Sequence, residues 1–466
     1  MIVKRSPDMR KYDIAIIGGG IGGLMAAYRL KRRIPEAKIV ITERGNTLEK
    51  RNCPAGKNRT CVHCKHCSIT SGFAGAGAFS DGKFNLGTAY GGTLGEELGE
   101  DNANYYISEV DEILNEYCTS GIPKVYFSNE ELKLKCLQNN LRLLDMNVKH
   151  LGTDNNFITM QNLIKRISED GTELLPFYDC ENITESGEGG YILHYANGEK
   201  ITSDKIIIAT GRGGANFVSD FCRSFGVHMR SNYVDIGVRV EMKDIIWKEF
   251  SDQIYEPKIL YKTKTFEDRC RMFCFNKGGL VSAENNHGII TANGHSYAEP
   301  EKKTENCNFA ILSSIRFTEP FNQPTEYVES ISRLANMIGR GNVLVQRFGD
   351  LIRGRRTNDH RLGQNTVIPT LRATAGDISL VLPHRILTNI IETIYALDKV
   401  APGTANDDTL LYGCESKYYS IRPEFKNDKF ELVDGVYIIG DGSGICRGLS
   451  QSGAMGIYVA DRIADI

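Results

Sequence analysis

The sequence predicts an α/β protein in which a parallel, nucleotide-binding sheet is interrupted by an inserted domain of mixed β-sheet. Three observations predict it. A strand–glycine turn–helix unit opens the chain at residues 12–33. Two apolar runs that end in glycine, at 205–212 and 435–442, lie far downstream and have the length of buried parallel strands. Between them, segments with strand-like alternation such as 234–241 break the α/β rhythm.

The opening unit carries the sharpest local signal. Residues 12–17 are a short apolar run entering Gly18-x-Gly20-x-x-Gly23, with Gly22 also in the turn, and a helical stretch follows at 24–33. Gly18 permits the tight turn, Gly20 lets the backbone approach a pyrophosphate, and Gly23 lets the helix pack on the strand. The helix start offers free N–H groups and a partial positive charge to phosphate. A second strand at 38–42 leads to Glu43, 20 residues past Gly23, where a ribose-binding carboxylate belongs. These features predict a Rossmann-like unit. No second strand–G-x-G-x-x-G–helix unit with a downstream acid is present, so no built-in nicotinamide domain is expected.

Composition bounds the rest. The chain has 466 residues, 41% of them hydrophobic, and a formal net charge of −2. Bulk charge gives no reason to expect nucleic acid or an anionic membrane as partner. No apolar run approaches the roughly 18 residues of a membrane span. The apolar run 14–17 is too short for a signal segment, so a cytoplasmic protein is expected. Thirteen cysteines, an odd number without the punctuation of a secreted scaffold, point to metal ligands or reactive thiols.

Four of those cysteines cluster as C-x7-C-x2-C-x2-C at Cys53, Cys61, Cys64 and Cys67. This spacing suits a [4Fe–4S] cluster, since tight C-x2-C loops wrap one face and a more distant cysteine closes it. Tetrahedral zinc, with His63 or His66 as further donors, and no metal at all are the alternatives. The glycine-rich loop 72–83 follows directly.

Several of these segments resemble FAD-binding proteins of the glutathione-reductase-like superfamily: Glu43-Arg44-Gly45 after the second strand, Ala209-Thr210-Gly211 closing the run at 205–212, and Gly440-Asp441 closing the run at 435–442. With the 72–83 loop and residues 235–241, most of the chain is similar to the flavoproteins called FAD-utilizing dehydrogenases. The resemblance implies FAD as cofactor, with Asp441 on the ribityl chain or pyrophosphate. It implies contacts from Arg44, from Gly77, Ala78 and Ser80 of the loop, from Gly211, and from Gly448 and Ser452 at the start of the last helix. Cys180 falls where the superfamily places a backbone contact to adenine.

The expected organisation is an FAD-binding domain from 1–100, 150–230 and 430–466, a helical segment over 101–149, and a substrate or cap domain over 231–429. Helices are expected at 104–117, 129–144, 160–169 and 385–397. Gly91 to Gly95 reads as a flexible connector or lid. Catalytic candidates are Arg447 and Cys274, and the basic stretch Arg353–Arg361 offers a second place for an anion. The expected activity is FAD-dependent oxidoreduction of a small organic substrate, with the electron donor open and the cysteine cluster as a candidate relay. The alternatives are a flavin-binding RNA-modifying or regulatory protein, and a zinc-stabilised interaction protein without redox chemistry.

Overall fold

The computed structural model describes residues 9–465 except 55–61, 63, 65, 81, 146, 231, 287, 298, 318–319, 322 and 419–421. Apolar residues 14–17 form the end of the Arg10–Ile17 strand, which sits at the centre of an eight-stranded sheet. Its parallel neighbours are Lys200–Ile208 on one side and Ile39–Glu43 on the other. Val436–Ile438 and Glu173–Pro176 extend the parallel array outward. Consecutive residues of the central strands are buried on both faces, as continuous Ile/Val runs require. The hairpin of Cys180–Glu185 and Tyr191–Tyr195 continues from the lower half of Lys200–Ile208.

Two helices cover one face of this sheet in direct contact. Ile21–Arg33 lies against Leu449–Ala464 so closely that a Cβ on Gly456 would fall 2.3 Å from the Gly22 carbonyl oxygen. Arg29 closes the pair with Nε 2.7 Å from Asp461 Oδ1. Glu100–Tyr117 packs on the other side of the last helix, where the Tyr106 and Tyr458 rings meet edge to face at 5.3 Å. No helix of the described residues is long and apolar enough to cross a membrane.

The second sheet also has eight strands, in the order Thr374–Ala375, Leu344–Arg347, Leu410–Tyr418, Val234–Lys243, Asn306–Ile315, Arg269–Asn276, Ile259–Lys262 and Leu141–Leu143. One pairing is parallel and the others are antiparallel. The period-two alternation at 234–241 does form a strand, but both of its faces are buried. Val234, Ile236, Val238, Val240 and Met242 face an apolar core closed by the His384–Asp398 helix. Asp235, Arg239 and Glu241 face inward on the other side, at 1%, 0% and 0% exposure.

Three expectations are corrected. The helix expected over 129–144 ends at Leu137. Asn140 then turns left-handed at φ 59°, and Leu141–Leu143 becomes the edge strand of the second sheet. Asparagine tolerates that conformation, and Leu-Arg-Leu alternates buried and exposed as an edge strand does. The 101–149 segment is therefore not one helical unit. Glu100–Tyr117 joins the first core, Leu132, Cys136, Leu141 and Leu143 join the second, and Val125–Tyr126 and Val148–His150 form a small separate sheet with Lys83–Asn85. Nor is 91–95 a free lid: Gly92 pairs with Cys446, Thr93 N–H donates to Ile445 O, and Arg447 N–H donates to Gly91 O.

Candidate active site

The C-terminal ends of the parallel strands carry the nucleotide turn. Gly18 adopts φ +111°, and a Cβ there would lie 2.4 Å from the Ala209 carbonyl oxygen. A Cβ on Gly23 would lie 2.2 Å from the Gly18 oxygen. Both positions are filled by the protein's own backbone. A Cβ on Gly20 would meet nothing within 4 Å. The Ile21–Arg33 helix starts at Gly20 with no side-chain cap and no acid in its first turn. Open space in front of an uncapped helix start suits a pyrophosphate. The Thr210 hydroxyl, buried and without a hydrogen-bond partner, lies at the neighbouring strand end. These residues fit FAD.

The expected cofactor residues converge on this edge. Ala74 N–H donates to Gly19 O at 2.8 Å, seating the 72–80 loop on the turn. Gly77 and Ala78 lie in the Gly75–Phe79 turn, and Ser80 Oγ donates to Gly77 O. Ile439 N–H donates to Ile208 O, which brings Gly440 and Asp441 beside Gly211. Ser452 lies in the first turn of the last helix, whose N-cap is Gly448, also without a side-chain cap.

Glu43 is a clamp before anything else. Its Oε2 accepts from Gly19 N–H, and its Oε1 from Gly45 and Gly72 N–H, each at 2.9 Å. Arg44 reinforces it through Ser71 Oγ and Gly213 O. Gly22 serves the contact between the two helices. Cys180 is buried, and burial first of all pushes its thiol far up.

The four-cysteine loop is described in part, with Cys61 and His63 outside the described residues. Cys53, Cys64 and Cys67 are half-buried free thiols. No group of three metal-binding side chains converges among the described residues. The loop is tied to the nucleotide edge by Arg51, which is buried and donates to Ser68 O, Ile69 O, Phe73 O and Gly75 O.

Near the start of the last helix, charged side chains gather beside the polar face of the second sheet. Arg447, at the helix start, meets the fields of Arg271 and Arg212. Arg271 reaches from the polar face of the second sheet and pairs with Asp235. Arg212 pairs with Asp441 at 2.9 Å, and 22% of the Asp441 side chain remains open to solvent. Tyr90 and Phe273 pack together beside this group, with ring centroids 6.1 Å apart. Burial, then the like charges of Arg271 and Arg212, push Arg447 well below the ordinary arginine range, against the pull of Asp235. Burial raises Asp441 although Arg212 opposes it. A guanidinium disfavoured in this way gains from an anion brought beside it.

Cys274 packs with Tyr90 against the same small apolar cluster around Phe273. It occupies a bulge with φ 56°, and Arg239 donates to its carbonyl at 2.9 Å and approaches its sulfur at 3.7 Å. Cys270 faces the apolar side and is pushed up to about 11 by burial. The basic stretch is partly paired: Arg353 meets Asp407, while Arg355 and Arg361 share Asp350 with Arg347. Arg212, Arg271, Asp235, Tyr90 and Phe273 were not legible as site residues. The available signal was charge at alternate positions of strands otherwise rich in valine and isoleucine.

A glycine-built nucleotide edge beside a second sheet with a charged inner face fits a dinucleotide-binding protein. Residues 12–222 match the family described as pyridine nucleotide-disulphide oxidoreductase. Residues 234–418 match the FAD-dependent protein, C-terminal domain-like family. The two matches together identify the chain as an FAD-dependent oxidoreductase of the two-domain flavoprotein type. A search of curated proteins gave no match. Among solved structures, glycine oxidase from Geobacillus kaustophilus is 11% identical with a TM-score of 0.42, over 97% of this chain and 94% of that one. L-proline dehydrogenase from P. horikoshii is 13% identical with a TM-score of 0.41, over 98% and 94%. Overlaps this loose carry no argument about substrate.

Proposed function

We propose that this FAD-dependent oxidoreductase acts on a small organic anion bound where the start of the last helix meets the second sheet. The observation that supports it is the grouping of Arg447, Arg271 and Arg212 with Asp235 and Asp441, where part of the Asp441 side chain remains open to solvent. When bound, FAD supplies hydride or single-electron transfer at its ring. Gly20 gives the pyrophosphate its approach. The uncapped start of the last helix, at Gly448, favours negative charge placed before it. Arg447 and Arg271 orient the substrate's anionic group, and Tyr90 and Phe273 keep water from the reacting face. Asp441 holds Arg212 in place.

The matched family description for 12–222 refers to pyridine nucleotides. We assign no nicotinamide site to this chain, because its only complete glycine fingerprint is at Gly18–Gly23. A [4Fe–4S] cluster on Cys53, Cys61, Cys64 and Cys67 is a second proposal, supported by their spacing and by the link through Arg51. Zinc is its competitor.

Anaerobic purification with a visible spectrum and analysis of iron, sulfide and zinc tests both readings. The expected result is one FAD per chain, slow reduction by micromolar NADH, and iron that disappears in Cys64→Ala while most FAD remains. A colourless protein containing zinc alone overturns the redox reading. Rapid NADH reduction overturns the nicotinamide inference.

A further inference from the structure

The far edge of the second sheet carries a groove that the redox chemistry does not use. It encloses about 370 Å³, and Leu137, Arg142, Leu260, Lys262 and Arg269 are among its lining residues. Strand alternation explains which side chains reach it. Leu141, Leu143, Ile259 and Tyr261 belong to the apolar core. Arg142, Leu260 and Lys262 therefore point to the opposite face. The pairing sets Arg142 opposite Leu260, and Lys262 opposite Arg269. Three cations thus share one face of three adjoining strands.

Their charge is not matched. Lys262 Nζ meets Glu267 Oε2 at 2.6 Å. Neither Arg142 nor Arg269 has an ion-pair partner among the described residues. Three cations less one acid leave two positive charges over. Like charges directly opposite across a strand pair are destabilising, and an anion laid between them relieves that cost.

The surface beside these charges is apolar. Leu134 and Leu137, three apart on the Glu130–Leu137 helix, are 57% and 62% exposed. Leu260 is half-buried in the groove. Leucines flanked by arginines suit a protein partner. Phosphate groups of a nucleic acid use the cations but not the leucines.

Spacing defines the partner further. Two strand spacings across and two residues along separate Arg142 from Arg269 by about 12 Å between Cα atoms. An extended peptide places alternate side chains on one face, with residues i and i+4 about 13 Å apart and i+2 between them. We propose that this groove docks an extended acidic segment of a partner protein, with the pattern Glu-x-Leu-x-Glu. The outer carboxylates meet Arg142 and Arg269, and the central leucine lies against Leu137 and Leu260.

The test titrates the full chain into fluorescein-labelled peptide amides and reads anisotropy. The probes are Glu-Ser-Leu-Ser-Glu, Gln-Ser-Leu-Ser-Gln and Glu-Ser-Ser-Ser-Glu, with a thymidylate decamer as the nucleic-acid control. The first peptide is expected to bind saturably, with a dissociation constant below about 1 mM. Its affinity should fall several-fold between about 50 mM and 500 mM salt. The neutral peptide should bind at least about tenfold more weakly, through lost charge-assisted bonds. The leucine-free peptide should bind about fivefold more weakly. Arg142→Glu and Arg269→Glu should each weaken the acidic peptide about tenfold. Both side chains are exposed, so melting should stay near that of the parent. No saturable binding of the first peptide overturns the proposal, as does equal binding of the first peptide and either of the other two. Thymidylate binding as tightly as the acidic peptide overturns it in favour of a nucleic-acid surface. Affinity unchanged in both variants removes the groove as the docking site.

Discussion

The two sheets solve opposite problems. The parallel sheet builds its site from backbone: at Gly18, Gly20 and Gly23 the useful feature is a missing side chain. The second sheet builds its inner face from charged side chains, with Arg239 and Glu415 both at 0% exposure and 3.5 Å apart. The first strategy needs correct spacing within a few residues. The second needs partners from distant strands to arrive together, because an unmatched buried charge is costly. A nucleotide edge can therefore be encoded locally, whereas the inner face of the second sheet depends on partners distant in sequence.

The glycines give the largest effect that could break this contrast. Gly23→Ala forces a Cβ to 2.2 Å from backbone oxygen, and is expected to cost about 3 kcal/mol or more, at the upper end of overpacking. Gly20→Val adds atoms only to open space. It should melt like the flavin-free parent yet bind no flavin. Stoichiometric flavin in Gly20→Val would falsify the assignment of that space to the pyrophosphate.

The buried pair comes next. Arg239→Met leaves Glu415 with only Lys417, 3.6 Å away and itself shared with Glu284, and should cost up to about 3–5 kcal/mol in chemical denaturation. Adding Glu415→Leu should restore most of that loss. A double variant as unstable as the single one would show that Arg239 acts through Asn308 and the Cys274 carbonyl instead.

Glu241 gives a smaller, pH-dependent effect. Burial raises its pKa above the ordinary 4.5, although Thr370, Tyr412 and Asn306 donate to it. A carboxyl with a raised folded pKa contributes stability that is whole below the ordinary value and is lost as pH rises through the folded one. Glu241→Gln lacks this loss. Its melting temperature should therefore gain on the parent steadily as pH rises above 4.5, and a constant difference would contradict the buried-acid account.

The smallest effect is expected at the surface network. Arg353→Ala breaks an exposed pair with Asp407, worth about 0–1 kcal/mol, and should leave flavin content and ligand affinity unchanged. A large loss of affinity would return the basic stretch to the list of anion sites.

The same contrast explains what was legible. Gly18, Gly20, Gly23 and Glu43 stand at fixed spacings in one βαβ unit, so chemistry and position could be read together. Even there, the role of Glu43 as a clamp on three glycine N–H groups was hidden, because Gly72 reaches it through the fold rather than the spacing. Arg271 and Asp235 are 36 residues apart, and Arg212 and Asp441 more than two hundred. No local pattern links them. Leu141–Leu143 was misread because a three-residue edge strand is too short to outweigh the helical spacing before it.

The contact of Gly22 with Gly456 has a consequence for biosynthesis. The nucleotide turn is made long before the helix that packs on it. Val436–Ile438, which completes the parallel array beside Lys200–Ile208, also follows the turn at a great distance in sequence. Until those residues emerge, the earlier strands present an unpaired edge and an uncovered helix face, the kind of surface that exposes a nascent chain to misassembly. A ligand that binds only the assembled sheet and helices then stabilises that state by mass action.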